Sequence, residues 1–267
     1  DDSKLCTEII DELDCDRLQN DLNLLSAWSK QWLLNFNSSK CVVLKLRQSI
    51  EYVYSLNGIN LESVSQQRDL GVIIQSDLKP EAHVNEISKK AYQRVGMIKR
   101  CFSNLTQKKV SVLYKTTVRP ILEYASVIWQ PYYQKDIDLE YASVIWQPYY
   151  QKDIDKLQKV QDKCLSLCGN PPKMDSLLER RKNTDIVETY KILHGKYKIN
   201  PDCLFERCDS NLRGHNFKLK KQSVNTDVRK YFFSNRVVND WNKLPAGTVS
   251  APSGDVLKKK LRVTPKD

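Results

Sequence analysis

At 267 residues, 40% of them hydrophobic and 28% charged, the chain has enough apolar content for one large or two modest domains, which excludes wholesale disorder. Its formal net charge of +11 is unevenly placed: residues 1–79 carry 8 Lys+Arg against 12 Asp+Glu, whereas residues 80–267 carry 35 against 20. Apolar runs far short of a span argue against a membrane protein, and eight cysteines dispersed at 6, 15, 41, 101, 164, 168, 203 and 208 argue against a disulfide framework.

The first two residues, Asp1 and Asp2, are adjacent carboxylates of the kind that can share divalent cations in two-metal phosphoryl transfer. As an isolated pair they carry no specificity. Asp16 reads as the N-cap of a helix running to about Trp32, with Leu18, Leu22 and Leu25 on one face, Leu24 and Trp28 widening it, and the tryptophans as core packing. Lys40 precedes a strand from Cys41 to Leu46. Glu51–Leu56 and Ile59–Val64 flank Asn57-Gly58, a strong hairpin signal. Gln67–Ile74 reads as one further strand, within which Gly71 marks a bulge or the close approach of another backbone.

From about Pro80 the apolar period becomes helical. Val84, Ile87, Ala91, Val95 and Ile98 form one stripe, and Lys89, Lys90, Arg94, Lys99 and Arg100 lie off it. Thr106 caps the next helix, with Val110, Leu113, Thr117 and Ile121 facing inward and Lys108, Lys109, Lys115 and Arg119 outward. Two basic-faced amphipathic helices suit sequence-independent contact with phosphates; two solvated helix faces are the plainer reading.

Residues 122–138, LEYASVIWQPYYQKDID, recur identically as 139–155. A perfect tandem copy cannot simply lengthen a helix. Seventeen residues at 3.6 per turn bring the apolar face back rotated by roughly a quarter turn, and Pro131 and Pro148 interrupt it. One copy is expected to serve as the connection and the other to bulge out. Beyond it, Leu157, Val160, Cys164 and Leu167 mark a helix stopped by Gly169 and Pro171-Pro172. Met174 to about Tyr197 is helical, residues 198–226 are irregular and basic, and Arg229–Trp241 is a last helix ended by Pro245. The tail after Ser250 is expected to be loose.

No catalytic set emerges from His83, His194 and His215, and with 8 glycines there is no phosphate-cradling loop. Zinc binding through Cys164-x3-Cys168, Cys203-x4-Cys208 and His215 is a weak reading, because the first pair has the spacing of one helix face.

The ordered segments DDSKL, WSKQWLLNFNSSKC, RDLGV, HVNEISKKAYQRVG, LYKTTVRPILEYASVIW and RKYFFSNRVVNDWNKLP resemble the reverse transcriptase of LINE-type (non-LTR) retrotransposons of the jockey-like kind. The resemblance implies an α+β, mainly α fold. Residues 1–79 would be the later part of a polymerase palm, antiparallel strands with one helix. Residues 80–168 would be a helical thumb carrying the duplication, and 169–267 a basic helical C-terminal region. It implies that Asp1 and Asp2 are metal-binding catalytic carboxylates for Mg²⁺ or Mn²⁺, and that Lys40 assists the leaving group. Leu70-Gly71-Val72 would form the primer-grip strand, and Lys89, Lys90, Arg94, Lys108, Lys115 and Arg119 would contact nucleic acid. The implied partners are an RNA template and a DNA primer, in a nuclear or cytoplasmic ribonucleoprotein with no membrane involved. The family's aromatic-Ala before the Asp pair, its third metal-binding aspartate and its nucleotide-selecting segment lie upstream of Asp1, so this chain is expected to be inactive by itself and to bind no metal stably. The alternative is a non-catalytic nucleic-acid-binding or interaction module derived from a retroelement.

Overall fold

The computed structural model describes residues 3–46, 50–125, 148–197, 200–208 and 215–263. Asp1, Asp2, most of the tandem copies (126–147) and Arg213-Gly214 lie outside the described residues.

The first helix, α1, spans Glu12–Gln31 and starts a full turn earlier than expected. Asp11 accepts the Asp14 N–H at 3.0 Å while the Asp14 carboxylate accepts the Asp11 N–H, a reciprocal cap that Asp16 cannot match. Its expected role as a core helix is also corrected. Leu24, Trp28 and Trp32 are 69%, 46% and 62% exposed, whereas Cys15, Ser26 and Ser29 are buried. The face turned inward is the line Cys15, Gln19, Leu22, Ser26, Ser29, of which Gln19 and Ser26 are fastened by hydrogen bonds. The Gln19 amide accepts the Ser55 N–H at 2.9 Å and donates to the Ser55 carbonyl at 3.0 Å, and Ser26 bonds Asn57.

Three two-stranded sheets follow among the described residues. β1 (Val42–Leu44) pairs with β4 (Glu62–Val64) in parallel, Val42 opposite Glu62, contrary to the antiparallel pairing expected. β2 (Ser55–Leu56) and β3 (Ile59–Asn60) form the hairpin about Asn57-Gly58, both turn residues at positive φ. The single strand expected over 67–74 is a hairpin: β5 (Gln66–Asp69) and β6 (Val72–Gln75) pair antiparallel around Leu70-Gly71.

α2 (Glu81–Cys101) buries Val84, Ile87, Ala91, Val95 and Ile98, the stripe that its period marks. α3 (Gln107–Leu113), capped by the Thr106 hydroxyl, runs into a π-helical turn at Tyr114–Val118 and then α4 (Arg119–Glu123). Pro120 explains the wide turn: it has no N–H to give the Thr116 carbonyl, and the Arg119 N–H bonds the Tyr114 carbonyl five residues back. The extra residue per turn shifts the buried line to Val110, Tyr114, Val118 and Leu122, so the expected inward set Leu113, Thr117 and Ile121 is only partly covered. α5 (Gln151–Leu165) begins inside the second tandem copy and buries Leu157, Val160 and Cys164. Tyr114 ties the two segments, donating to Gln161 Oε1 at 2.5 Å.

α6 (Leu177–Leu193) belongs to two cores: Leu177 joins the α2–α5 cluster, while Ile186, Val187, Tyr190, Ile192 and Leu193 face a second one. In that second core the expected helix 229–241 is broken into α7 (Asp227–Lys230), α8 (Phe233–Arg236) and α9 (Val238–Asn242), although Phe233, Val237 and Trp241 are all buried. α10 (Ala246–Val249) and α11 (Gly254–Val263) complete it. Over residues 251–263 the tail expected to be loose is packed: Leu257 and Leu261 join the second core, and Tyr190 donates to the Ala251 carbonyl at 2.6 Å.

Candidate nucleic-acid interface

The β5–β6 turn has Leu70 at φ 44° and Gly71 at φ 85°, the type I′ geometry whose twist suits a two-residue hairpin. Glycine adopts it freely. A leucine does not: the left-handed conformation costs about 1–2 kcal/mol, and here the side chain is also 54% exposed. An apolar side chain held out in water on an unfavourable backbone is the kind of feature found where a chain meets a ligand.

The hairpin is fixed to α2 by polar contacts. Arg68 pairs with Glu86, and Glu86 takes Lys90 on its other oxygen at 2.5 Å. Hydrogen bonds from Arg68 and then Lys90 pull the Glu86 carboxyl down to about 2. His83 is buried and accepts the Ile73 N–H on Nδ1 at 3.2 Å. Burial pushes its pKa down to about 4, so the ring stays neutral and remains an acceptor. Gln75 Oε1 accepts the Ala82 N–H at 3.0 Å, serving a donor of the first turn of α2 that lacks an intrahelical partner. Lys4 pairs with Asp69. From the far side, Tyr124, just past α4, donates to the Leu70 carbonyl at 2.9 Å.

Of the six cations expected to face phosphates, the structure separates two groups. Lys89, Arg94, Lys108 and Lys115 are exposed and carry no ion pair among the described residues. Lys90 is engaged by Glu86, and Arg119 lies 3.6 Å from Glu123, a carboxylate that Arg180 also holds through two bonds of 2.5 and 3.1 Å. Both engagements were written in the sequence as i,i+4 pairs of opposite charge. Lys99, Arg100 and Lys109 are likewise exposed.

Lys40 is exposed at the end of a 3₁₀ turn, Ser38–Lys40, ahead of β1. Asp1 and Asp2, expected to act with it, lie outside the described residues. Among the described residues no group of three or more His, Cys, Asp or Glu is arranged to hold a metal ion. Cys164 and Cys168 are buried thiols, and burial raises the first to about 11. His215 is committed to the second core through the Trp241 carbonyl at 3.2 Å. Among the described residues no helix is long and apolar enough to cross a membrane. Sequence reasoning missed His83 and Tyr124, whose partners lie in other elements; only the folded chain brings them to the hairpin.

Neither a protein-family profile nor a solved structure matches the chain. Over 119 residues, 42% of its length, it is 29% identical to the probable RNA-directed DNA polymerase from transposon BS of Drosophila melanogaster, and the match spans 13% of that protein. This similarity supports a retroelement polymerase origin.

Proposed function

We propose that this chain is the later palm, thumb and C-terminal part of the RNA-directed DNA polymerase of a jockey-like LINE-type retrotransposon, and that its share of the work is to hold an RNA–DNA duplex without reading its sequence. The observation that carries this reading is the division of cations along α2, α3, the π turn and α4. Lys89, Arg94, Lys108 and Lys115 carry no ion pair among the described residues, whereas Lys90 and Arg119 are paired with Glu86 and Glu123. Unpaired cations on amphipathic helices neutralise phosphates and release counterions, which gives affinity independent of base identity. The strained Leu70-Gly71 turn, exposed at the hairpin tip, meets the primer strand.

In the intact enzyme Asp1 and Asp2 would hold Mg²⁺ or Mn²⁺, and Lys40 would supply positive charge to the departing pyrophosphate; both roles rest on resemblance. Because the match spans 13% of its relative, DNA synthesis is proposed for the whole protein and not for this part alone. Fluorescence anisotropy with a labelled RNA–DNA hybrid tests the duplex-holding role. Binding that is equal across unrelated sequences and is lost when Lys89, Arg94, Lys108 and Lys115 are changed to Glu supports it. Absence of hybrid binding by the unmodified chain refutes it.

A further inference from the structure

Tyr124 is 54% exposed, and two contacts tie it to the hairpin turn. Its hydroxyl donates to the Leu70 carbonyl at 2.9 Å, and a Cβ on Gly71 would stand 3.2 Å from its ring Cε1, tighter than ordinary van der Waals contact. The residue is itself anchored from behind: the neighbouring Glu123 is gripped by Arg180 through two bonds, and the Leu122 carbonyl accepts from Arg181 at 2.8 Å.

The turn that Tyr124 touches is not the one its two residues would choose alone. A Leu-Gly pair suits a type II turn, with leucine at negative φ and glycine at positive φ. Here Leu70 is at φ 44°, in the left-handed region. The carbonyl that Tyr124 binds belongs to the central peptide of the turn, the one whose rotation separates type I′ from type II′, the two turns that close a two-residue hairpin. A hydrogen bond to that oxygen, with a ring closing the space beside Gly71, selects one orientation of the peptide and with it the direction of the Leu70 side chain.

We infer that Tyr124 is a positioning residue that holds the Leu70-Gly71 turn in its type I′ form, so that the tip engages the 3′-terminal nucleotides of a DNA strand paired to RNA. This rests on the duplex-holding function proposed above. It adds that terminal engagement depends on a side chain from the end of α4, some fifty residues after the turn it serves.

The test uses the full chain, its Tyr124→Phe and Tyr124→Ala variants, and an RNA–DNA hybrid with 2-aminopurine at either the primer 3′ end or an internal position. Tyr124→Phe removes only the hydroxyl. It is expected to leave overall hybrid affinity and the internal signal essentially unchanged, while the binding-induced signal at the terminus falls roughly fivefold, the worth of one hydrogen bond; Tyr124→Ala removes the terminal signal. A terminal signal unchanged in both variants overturns the inference and leaves duplex holding intact. Equal loss of hybrid affinity and terminal signal also overturns it, since that marks a structural role only. Failure of the unmodified chain to bind the hybrid overturns both readings together.

Discussion

Glu86 holds Arg68 on one carboxylate oxygen and Lys90 on the other, so one side chain of α2 both docks the β5–β6 hairpin and withdraws a cation from the outer face of its own helix. Beside it, neutral His83 supports the same hairpin through the Ile73 N–H. Both groups bind protons less readily in the folded chain: Glu86 at about 2 against an ordinary 4.5, and His83 at about 4 against 6.5. The unfolded chain therefore takes up the proton first, and stability falls as pH falls. The His83 contribution is present above pH 6.5 and lost by about pH 4; that of Glu86 is present above pH 4.5 and lost toward pH 2. The expected result is a melting temperature that drops between pH 6.5 and 4, with the drop reduced in His83→Gln. A flat profile over that window contradicts the assignment.

The Leu70 backbone leads to a second expectation. Replacing it with Asn, which tolerates the left-handed region, should stabilise the chain by about 0.5–1 kcal/mol in urea unfolding. The same Leu70→Asn change should weaken the response of a probe at the primer terminus. Lower stability in the variant would show that leucine is not strained there.

Asp185 on α6 meets Arg236 on α8 through two bonds of 2.9 Å, both side chains being largely buried. Asp185→Ala leaves a guanidinium in the second core without its counterion and should cost about 3–5 kcal/mol. A double change to Asp185→Leu and Arg236→Met should recover most of that loss. Chemical denaturation of the two variants decides it, and a loss under about 1 kcal/mol for Asp185→Ala would mean that water reaches the pair.

The tandem copy contributes to the fold from both ends. Leu122 of the first copy is fully buried, and Pro148 and Asp153 of the second are buried too. Removing any seventeen consecutive residues within 122–155 yields the same chain, so a single copy supplies both packed ends. The connection between Ala125 and Pro148 would shorten from residues 126–147 to the five of Ser-Val-Ile-Trp-Gln, lowering closure entropy cost by about 1 kcal/mol. The single-copy chain should melt at the same temperature or higher. A fall of several degrees would mean that the extra copy is packed into the protein.

Local signals served well where one element decides its own fate. The α2 stripe, the Thr106 cap and the Asn57-Gly58 hairpin follow from periodicity and turn chemistry that nothing distant opposes. They failed where a partner outside the element decides. α1 turns a line of small and polar residues inward, where Gln19 and Ser26 find backbone and side-chain partners in the β2–β3 hairpin. Pro120 shifts a buried line by adding a π turn, which a helical wheel does not contain. The last helix is cut where Phe232 turns extended, and its end is held from outside: His215, Phe217 and Leu219 come back to bond the Trp241 carbonyl, its indole and the Asn242 side chain. At the candidate site the cations were legible, and so were the i,i+4 acids that remove two of them. Tyr124 and His83 were not, since their roles depend on contacts to the hairpin that no local pattern carries.

The central claim, that the unpaired cations of α2 and of the α3–π segment grip a duplex by its phosphates, is tested most directly by the salt dependence of hybrid binding. If Lys89, Arg94, Lys108 and Lys115 each neutralise one phosphate, log K should fall with log[salt] at a slope of about −3 to −4. Lys89→Ala with Arg94→Ala should flatten the slope by about 2, and Lys90→Ala should leave it nearly unchanged because Glu86 already holds that lysine. A slope that is insensitive to the first pair of substitutions, or that responds as strongly to Lys90→Ala, would contradict the account.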